Sequence, residues 1–393
     1  MDTAEIVITT LLPPTGETGV HTHFNEFCRY LRGEHRPARL ISAYGVNRWV
    51  RRMHFPLPTP LINKVDRSSA IWWRFKALTA MVILQLRSVL ADPSVRAVYA
   101  QDVFSAAAAL RARRSSRQRV ILAVHFNRDI ADELSLQVGI RRDGWLCRWL
   151  EQAQIDVLQQ VDGMVYMSTF VRNAIQAEGI RTSSIVLPNF ITPTEASDTS
   201  FSNDLINIGS MEPRKNQQYL LRVLAEARNC GRRYTLTLVG KGADEPMLRA
   251  LADTLGVGDQ VTFAGLQPSA ARFVPAHRFY VHSAILENLP IALLEALAAG
   301  RPILAACVGG IGEVFSDGIE GYYWDLADPK SGARKLICAM ETPALYRKLA
   351  RAARQRFRSS FTTAAVAPKL ESFVLSGRTG ESILDASPNA AAN

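Results

Sequence analysis

The chain has 393 residues, 48% hydrophobic and 21% charged, which excludes a disordered or fibrous protein and leaves room for two ordinary domains. A net charge of +10 favours anionic partners such as nucleotides, phospholipid surfaces or nucleic acid, without choosing among them. Five scattered cysteines with no CxxC pair exclude a disulfide framework or zinc site, and no uninterrupted apolar run reaches about 18 residues, so no spanning helix is expected.

Residues 5–10 read as a strand, not as a secretory leader, because the N-terminal stretch lacks a basic region followed by a long apolar core. A cytoplasmic protein with reduced thiols is therefore expected. The loop PPTGETG follows, carrying Gly16 and Gly19, and then a helix over 20–32. A strand, a glycine-containing loop and a helix place free N–H groups where an anion can bind, although an ordinary turn has the same form. The loop is neither a Walker loop nor GxGxxG. His21 and His23, in the first helical turn, could either of them touch a ligand, but read by default as surface histidines.

A second strand is expected over 38–43, an irregular basic stretch over 47–64 and a helix over 69–90. Trp72, Trp73 and Phe75 alternate with Arg74 and Lys76 in that helix. Such a helix can lie on a membrane surface or pack on the sheet with its basic residues outward. Further strands are expected over 95–100 and 120–124, with an Ala-rich helix over 103–112 between them. Arg111, Arg113, Arg114, Arg117 and Arg119 form a dense basic patch without interleaved aromatics, which suits a solvated loop better than nucleic-acid binding. His125 stands just past the carboxyl end of a strand, where open α/β sheets hold ligands. Helices over 144–160 and 170–178 and strands over 162–168 and 184–187 complete the first half, and the Thr-, Ser- and Asp-rich stretch 192–203 reads as a linker.

The second half repeats the strand–helix alternation, with strands over 205–208, 235–239, 260–264 and 279–283 and helices over 217–228 and 245–255. Arg214 and Lys215, in the loop GSMEPRKN before the first of these helices, pair point charges with N–H donors and suit a diphosphate. The stretch LENLPIALLEALAAGRPILAACVGGIG organises this half. Pro290 suits the first turn of a helix over 291–299, Gly300 ends it, and 303–307 reads as a buried strand. Two glutamates, Glu287 and Glu295, are separated by seven residues. On one helix they would lie about 12 Å apart, wider than the roughly 5–9.5 Å of a glycosidase acid/base pair, so two separate hydroxyl-binding roles fit better. Within a buried helix, Glu295 needs a partner, which is either a core salt bridge or a ligand hydroxyl. GGIG lets backbone approach a ligand closely, and GIEGYYW reads as a hairpin-like excursion. Helices are expected over 329–340, 344–358 and 362–375, before a disordered tail.

The combination of E-x7-E with ENLP, EALAAG-P and GGIGE resembles the retaining GT-B glycosyltransferases of family 4 over residues 6–375. The resemblance implies an α/β GT-B fold of two Rossmann-like domains facing each other across a cleft. The domains are expected over 1–192 (acceptor) and 203–360 (nucleotide sugar), with a terminal helix at 361–376 crossing back to the first and a tail over 377–393. The donor would be a nucleotide-diphosphate sugar of UDP or GDP type, with no other cofactor. The acceptor would be a saccharide or a polyprenyl-linked sugar in bacterial surface polysaccharide assembly, reached by peripheral contact with the inner face of the cytoplasmic membrane.

Residue by residue, the resemblance implies that Gly16 and Gly19 face the donor diphosphate, that His125 lies beside the transferred sugar and that Lys215 and Arg214 bind the diphosphate. Ser210 stands where many relatives carry arginine, and Arg214 takes that role. HFNRD displaces the relatives' aspartate to Asp129, which is not carried over. Gly240 and Leu266 would line the nucleoside pocket, Glu287 would hold sugar hydroxyls and Glu295 the ribose, with backbone at Asn288, Leu289 and Pro290. No Asp-x-Asp pair suggests a metal ligand, and no side chain stands out as a covalent nucleophile. A sugar-nucleotide epimerase of the same fold and an inactive membrane-associated binding protein are the alternatives.

Overall fold

The computed structural model describes residues 4–45, 66–193 and 201–378. The irregular basic stretch at 47–64, most of the expected linker and nearly all of the expected tail lie outside the described residues. The chain divides into two compact units, one formed by Met1–Pro188 with the described part of Val366–Ile383, the other by Asn189–Ala365.

The first unit is a six-stranded parallel sheet in the order β2-β1-β3-β4-β5-β6. Its strands are β1 (Glu5–Thr10), β2 (Ala38–Ser42), β3 (Val95–Ala100), β4 (Arg119–Val124), β5 (Gly163–Tyr166) and β6 (Ser184–Val186). Runs such as IVIT in β1 and VILAV in β4 are buried on both faces, as a parallel sheet covered by helices requires. The helices are α1 (Gly19–Gly33), α2 (Arg67–Val89), α3 (Val103–Ala112), α4 (Ile130–Val138), α5 (Trp145–Gln160) and α6 (Thr169–Ala177). Asp102 caps α3 and also accepts from Leu11 N–H at 2.8 Å, tying down the loop after β1. Helix α4 is absent from the sequence expectation. Asp129 caps it by accepting from Asp132 N–H at 2.7 Å and pairs with Arg142 at 2.9 Å, so this aspartate has a structural role.

The second unit repeats the plan in the order β12-β11-β10-β7-β8-β9, all parallel. It contains β7 (Asn203–Ile208), β8 (Leu236–Val239), β9 (Val261–Gly265), β10 (His277–His282), β11 (Ile303–Ala305) and β12 (Gly321–Tyr323). Its helices are α7 (Gln217–Asn229), α8 (Glu245–Thr254), α9 (Ile291–Ala298), α10 (Ile311–Val314), α11 (Pro329–Glu341) and α12 (Pro343–Ser360). Residues 321–323, expected in a hairpin-like excursion, instead form a sixth parallel strand, with Ile303 opposite Gly321. Leu221, Leu224, Phe279, Leu304 and Leu336 sit in the core under this sheet.

Helix α13 (Thr363–Ser376) follows α12, and from Val366 onward it belongs to the first unit. Glu371 accepts from the Tyr30 hydroxyl at 3.0 Å and pairs with Arg36 at 3.2 Å, while buried Phe373 lies over Gly163.

Each sheet has a topological switch point, where connections leave a pair of neighbouring strands in opposite directions. In the first unit it lies between β1 and β3, in the second between β7 and β10. Ligands of open α/β sheets bind outside the carboxyl ends of such strands.

Candidate active site

At the switch point of the second unit, the loop after β7 carries Arg214 and Lys215 and the loop after β10 carries Glu287. The two cations do not begin α7 as the sequence suggested. They lie in a 3-10 turn, Pro213–Lys215, separated from α7 by Asn216 in the left-handed region at φ 51°. The turn is pinned to the neighbouring loop. Ile285 N–H donates to the Arg214 carbonyl at 2.9 Å, Ser283 Oγ to the Lys215 carbonyl at 2.9 Å, and Arg214 to the Leu286 carbonyl at 3.0 Å. The two loops therefore hold their charged side chains on a common frame.

Glu287 is buried, and its carboxylate receives three partners: the Lys215 ammonium, Arg214 at 3.2 Å and His282 Nε2 at 3.3 Å. Burial alone would raise its pKa, but Lys215, then His282 and Arg214, more than reverse this and hold the carboxyl well below the usual range. It is an anion at neutral pH. A carboxylate only accepts, so His282 Nε2 carries the proton; burial lowers the His282 pKa and keeps the ring neutral. Its Nδ1 is buried without a hydrogen-bond partner among the described residues. Sequence reasoning passed over His282. Its one signal was a histidine at the carboxyl end of β10, the position that singled out His125 on β4.

GGIG approaches backbone closely, but the backbone is that of Glu287. Gly310 N–H donates to the Glu287 carbonyl at 2.9 Å, and Gly309, at φ 58°, leaves no room for a Cβ against the same oxygen. Gly309→Ala therefore combines left-handed strain of about 1–2 kcal/mol with a clash that must displace the Glu287 loop. Gly318, at φ 75°, has open space around it and serves as the control. Denaturant midpoints should fall further for Gly309→Ala than for Gly318→Ala; equal shifts would mean that the contact constrains nothing.

The remaining candidates in this unit are placed as follows. Asn288 and Leu289 are buried beside Glu287, and the Leu289 carbonyl accepts from Asn189 Nδ2 at 2.7 Å. Pro290 is the N-cap of α9 and offers no side-chain cap to its first N–H groups. The two glutamates do not share a helix: Glu287 is in the loop and Glu295 in α9, where it is half-buried. Both carboxylates nonetheless act on one phenol, raising the pKa of Tyr280, which burial already lifts. Gly240, at φ 144°, packs against the Gly209 carbonyl, and its N–H donates to the Gly265 carbonyl at 2.9 Å. That contact joins the ends of β8 and β9, and Leu266 beyond it is 62% exposed.

In the first unit, His125 follows β4, with Nε2 3.1 Å from Gln101 Oε1 and its ring edge-on to His23 at 5.0 Å. Burial, reinforced by His23, lowers its pKa well below the ordinary value, so it is neutral. His21 and His23 are buried and not on the surface, because the loop after β1 folds over the start of α1. His23 Nε2 meets the Tyr99 hydroxyl at 2.8 Å. His21 bridges the Pro13 carbonyl at 3.1 Å and the Thr18 hydroxyl at 2.6 Å. Gly16 and Gly19 are both exposed; Gly16 lies against the His21 ring with no space for a Cβ, and Gly19 opens α1. Among the described residues, no group of three His, Cys, Asp or Glu side chains is arranged to hold a metal.

The fold matches sucrose-phosphate synthase from Thermosynechococcus elongatus at TM-score 0.72 and 15% identity, covering 94% of this chain and 98% of that one. Anabaena HepE in complex with UDP and glucose matches at TM-score 0.68 and 15% identity, covering 94% and 99%. The family model "Glycosyl transferase 4-like domain" matches residues 18–189, and "Glycosyl transferases group 1" matches residues 198–356. The chain belongs to the GT-B glycosyltransferases of family 4. Among curated family relatives, D-inositol 3-phosphate glycosyltransferase of Frankia alni is 32% identical over 160 residues, 37% of this chain and 39% of that protein. Glycogen synthase of Mycobacterium tuberculosis is 29% identical over 188 residues, 45% and 44% of the two chains. A lipopolysaccharide core biosynthesis glycosyltransferase of Rhizobium meliloti is 28% identical over 162 residues, 41% and 46%. The matches thus span less than half the length of these relatives.

Proposed function

We propose that the protein transfers a sugar from a nucleotide diphosphate of UDP or GDP type to a saccharide or polyprenyl-linked acceptor, with retention of anomeric configuration. The observation that carries this reading is the ionised, buried Glu287 held by Lys215, Arg214 and His282 at the β7–β10 switch point. An anionic acceptor suits sugar hydroxyls. The adjoining cations and the N-terminus of α9 suit the departing diphosphate, whose growing charge they would stabilise. Glu295 would hold the ribose hydroxyls, and Gly240 with Leu266 would line the nucleoside pocket. His125, neutral and held by Gln101, would contact the transferred sugar as a hydrogen-bonding group. In the retaining reading the leaving phosphate takes the acceptor's proton on the face from which it departs.

A cytoplasmic protein touching the inner face of the membrane fits surface-glycan assembly. In α2, Trp72, Phe75 and Lys76 pack against Trp149 or Phe104, whereas Trp73 is 40% and Leu84 57% exposed. Those two side chains are the exposed large apolar ones of α2 and could meet a lipid surface. Among the described residues no helix is long and apolar enough to cross a membrane.

The test is thermal stabilisation by a panel of nucleoside diphosphates and their sugars. A ligand at about 100 Kd should add about 2.7 kcal/mol, with one base favoured. The favoured donor is then incubated with candidate acceptors, and the anomeric coupling of the product is read by NMR. No stabilisation by any nucleotide would overturn the donor reading; an inverted product would overturn retention alone.

A further inference from the structure

At the opposite end of α9 from Pro290, about 12 Å along its axis, the second unit carries a second concavity that the site above does not use. This groove of about 1000 Å³ is lined by Arg301, Arg347, Arg351, Arg354 and Arg358, with Phe201 and Tyr346. Among the described residues, no carboxylate lines it. Four of the arginines come from α12 at spacings of four, three and four residues, which puts them on one face of that helix.

A row of surface arginines alone would be an ordinary solvated face. Arg301 is different. It is 3% exposed, and among the described residues its guanidinium meets neutral groups: the Pro275 carbonyl at 2.7 Å, the Tyr346 hydroxyl at 3.3 Å and the Phe201 ring at 4.5 Å. Its Nε is buried without a hydrogen-bond partner among the described residues. A buried cation with no counter-charge among the described residues is costly to hold, and an anion in the groove would offset that cost. The groove is also shaped around its cations. A side chain at Gly300 would collide with that of Arg354, so glycine lets this arginine lie across the end of α9.

We infer that this groove binds clustered phosphate oxygens, either of a soluble phosphate ester or of a phospholipid headgroup. Planar guanidinium groups recognise such oxygens two at a time, and several on one face match a diphosphate or a phosphorylated surface better than a carboxylate. The inference does not depend on the transferase reading, because the groove shares no lining residue with the Glu287 site.

The test uses the full chain with Lys215→Ala in the background, which weakens phosphate binding at the first site by about ten- to a hundredfold. Arg347, Arg351 and Arg358, all exposed, are changed together to glutamine, and a charge-matched control changes Arg111, Arg114 and Arg117 in the first unit. Pyrophosphate binding is measured by calorimetry, and co-sedimentation compares phosphatidylglycerol with phosphatidylcholine vesicles. The expected result is at least about tenfold weaker binding of one anionic probe in the groove variant and little change in the control. Loss of pyrophosphate binding would assign a soluble ligand. Loss of phosphatidylglycerol binding without any pyrophosphate heat would assign a headgroup. Equal losses in the groove variant and the control, or no binding of either probe, would overturn the inference.

Discussion

Glu287→Gln is expected to lower sugar transfer by about 10²–10³-fold while leaving the fold in place. Glutamine keeps the shape and can still accept from His282, so Nε2 does not lose its partner. What disappears is the anion that receives Lys215 and Arg214 and, in the proposed reaction, the sugar hydroxyls. The two cations are part-exposed and can hydrate, so the fold should survive, but denaturant midpoints at neutral pH should fall because the contribution of the ionised carboxylate is lost. The pH dependence gives a second readout. Because the folded-state pKa of Glu287 is depressed, its contribution to stability is present above the unfolded carboxylate range and is lost as pH falls through the folded value. Stability of the glutamine variant should therefore decline less on acidification. Turnover close to that of the unmodified enzyme would remove Glu287 from the site.

Lys215→Met should weaken nucleotide-diphosphate binding by about ten- to a hundredfold, since a charge-assisted contact to phosphate is worth about 1.5–3 kcal/mol. It should also destabilise the fold, by leaving the anion short of a partner. Glu287 would stay buried with only Arg214 and His282 to hold its charge, and breaking an isolated buried pair costs about 3–5 kcal/mol. The surviving partners should reduce that to about 1–3 kcal/mol, read from urea unfolding. Unchanged nucleotide affinity would mean that Lys215 serves only to neutralise Glu287. Unchanged stability would mean that Arg214 and His282 suffice to hold the carboxylate.

Much of this architecture was legible in the sequence because parallel strands buried on both faces are written as short apolar runs, such as those at 5–10, 95–100 and 303–305. The strands with weak composition were harder. Residues 321–323, Gly-Tyr-Tyr, carry no sign that they pair with β11, since pairing is set by tertiary placement and not by local pattern. Helix α4 was missed although Asp129 and the acidic residues after it form a recognisable start signal. The residues of the site were legible by type and offset, but their relations were not. Lys215 and Glu287 stand 72 positions apart, and only the adjacency of β7 and β10 brings them together. Arg301 reads as an ordinary residue between a helix-ending glycine and a proline, and its burial comes from α12 and Phe201 packing around it.

The return of α13 to the first unit has a consequence for the order in which this protein can be built. On the ribosome, strands β1 to β6 emerge long before Phe373, which fills the space over Gly163, and before Glu371, which satisfies Tyr30 and Arg36. The first unit must wait, with part of its core uncovered, until all of Asn189–Ala365 has followed it out. A fragment ending at Pro188 would lack that closing piece permanently. The second unit, whose residues form one continuous stretch within the described chain, reaches its native contacts without that delay.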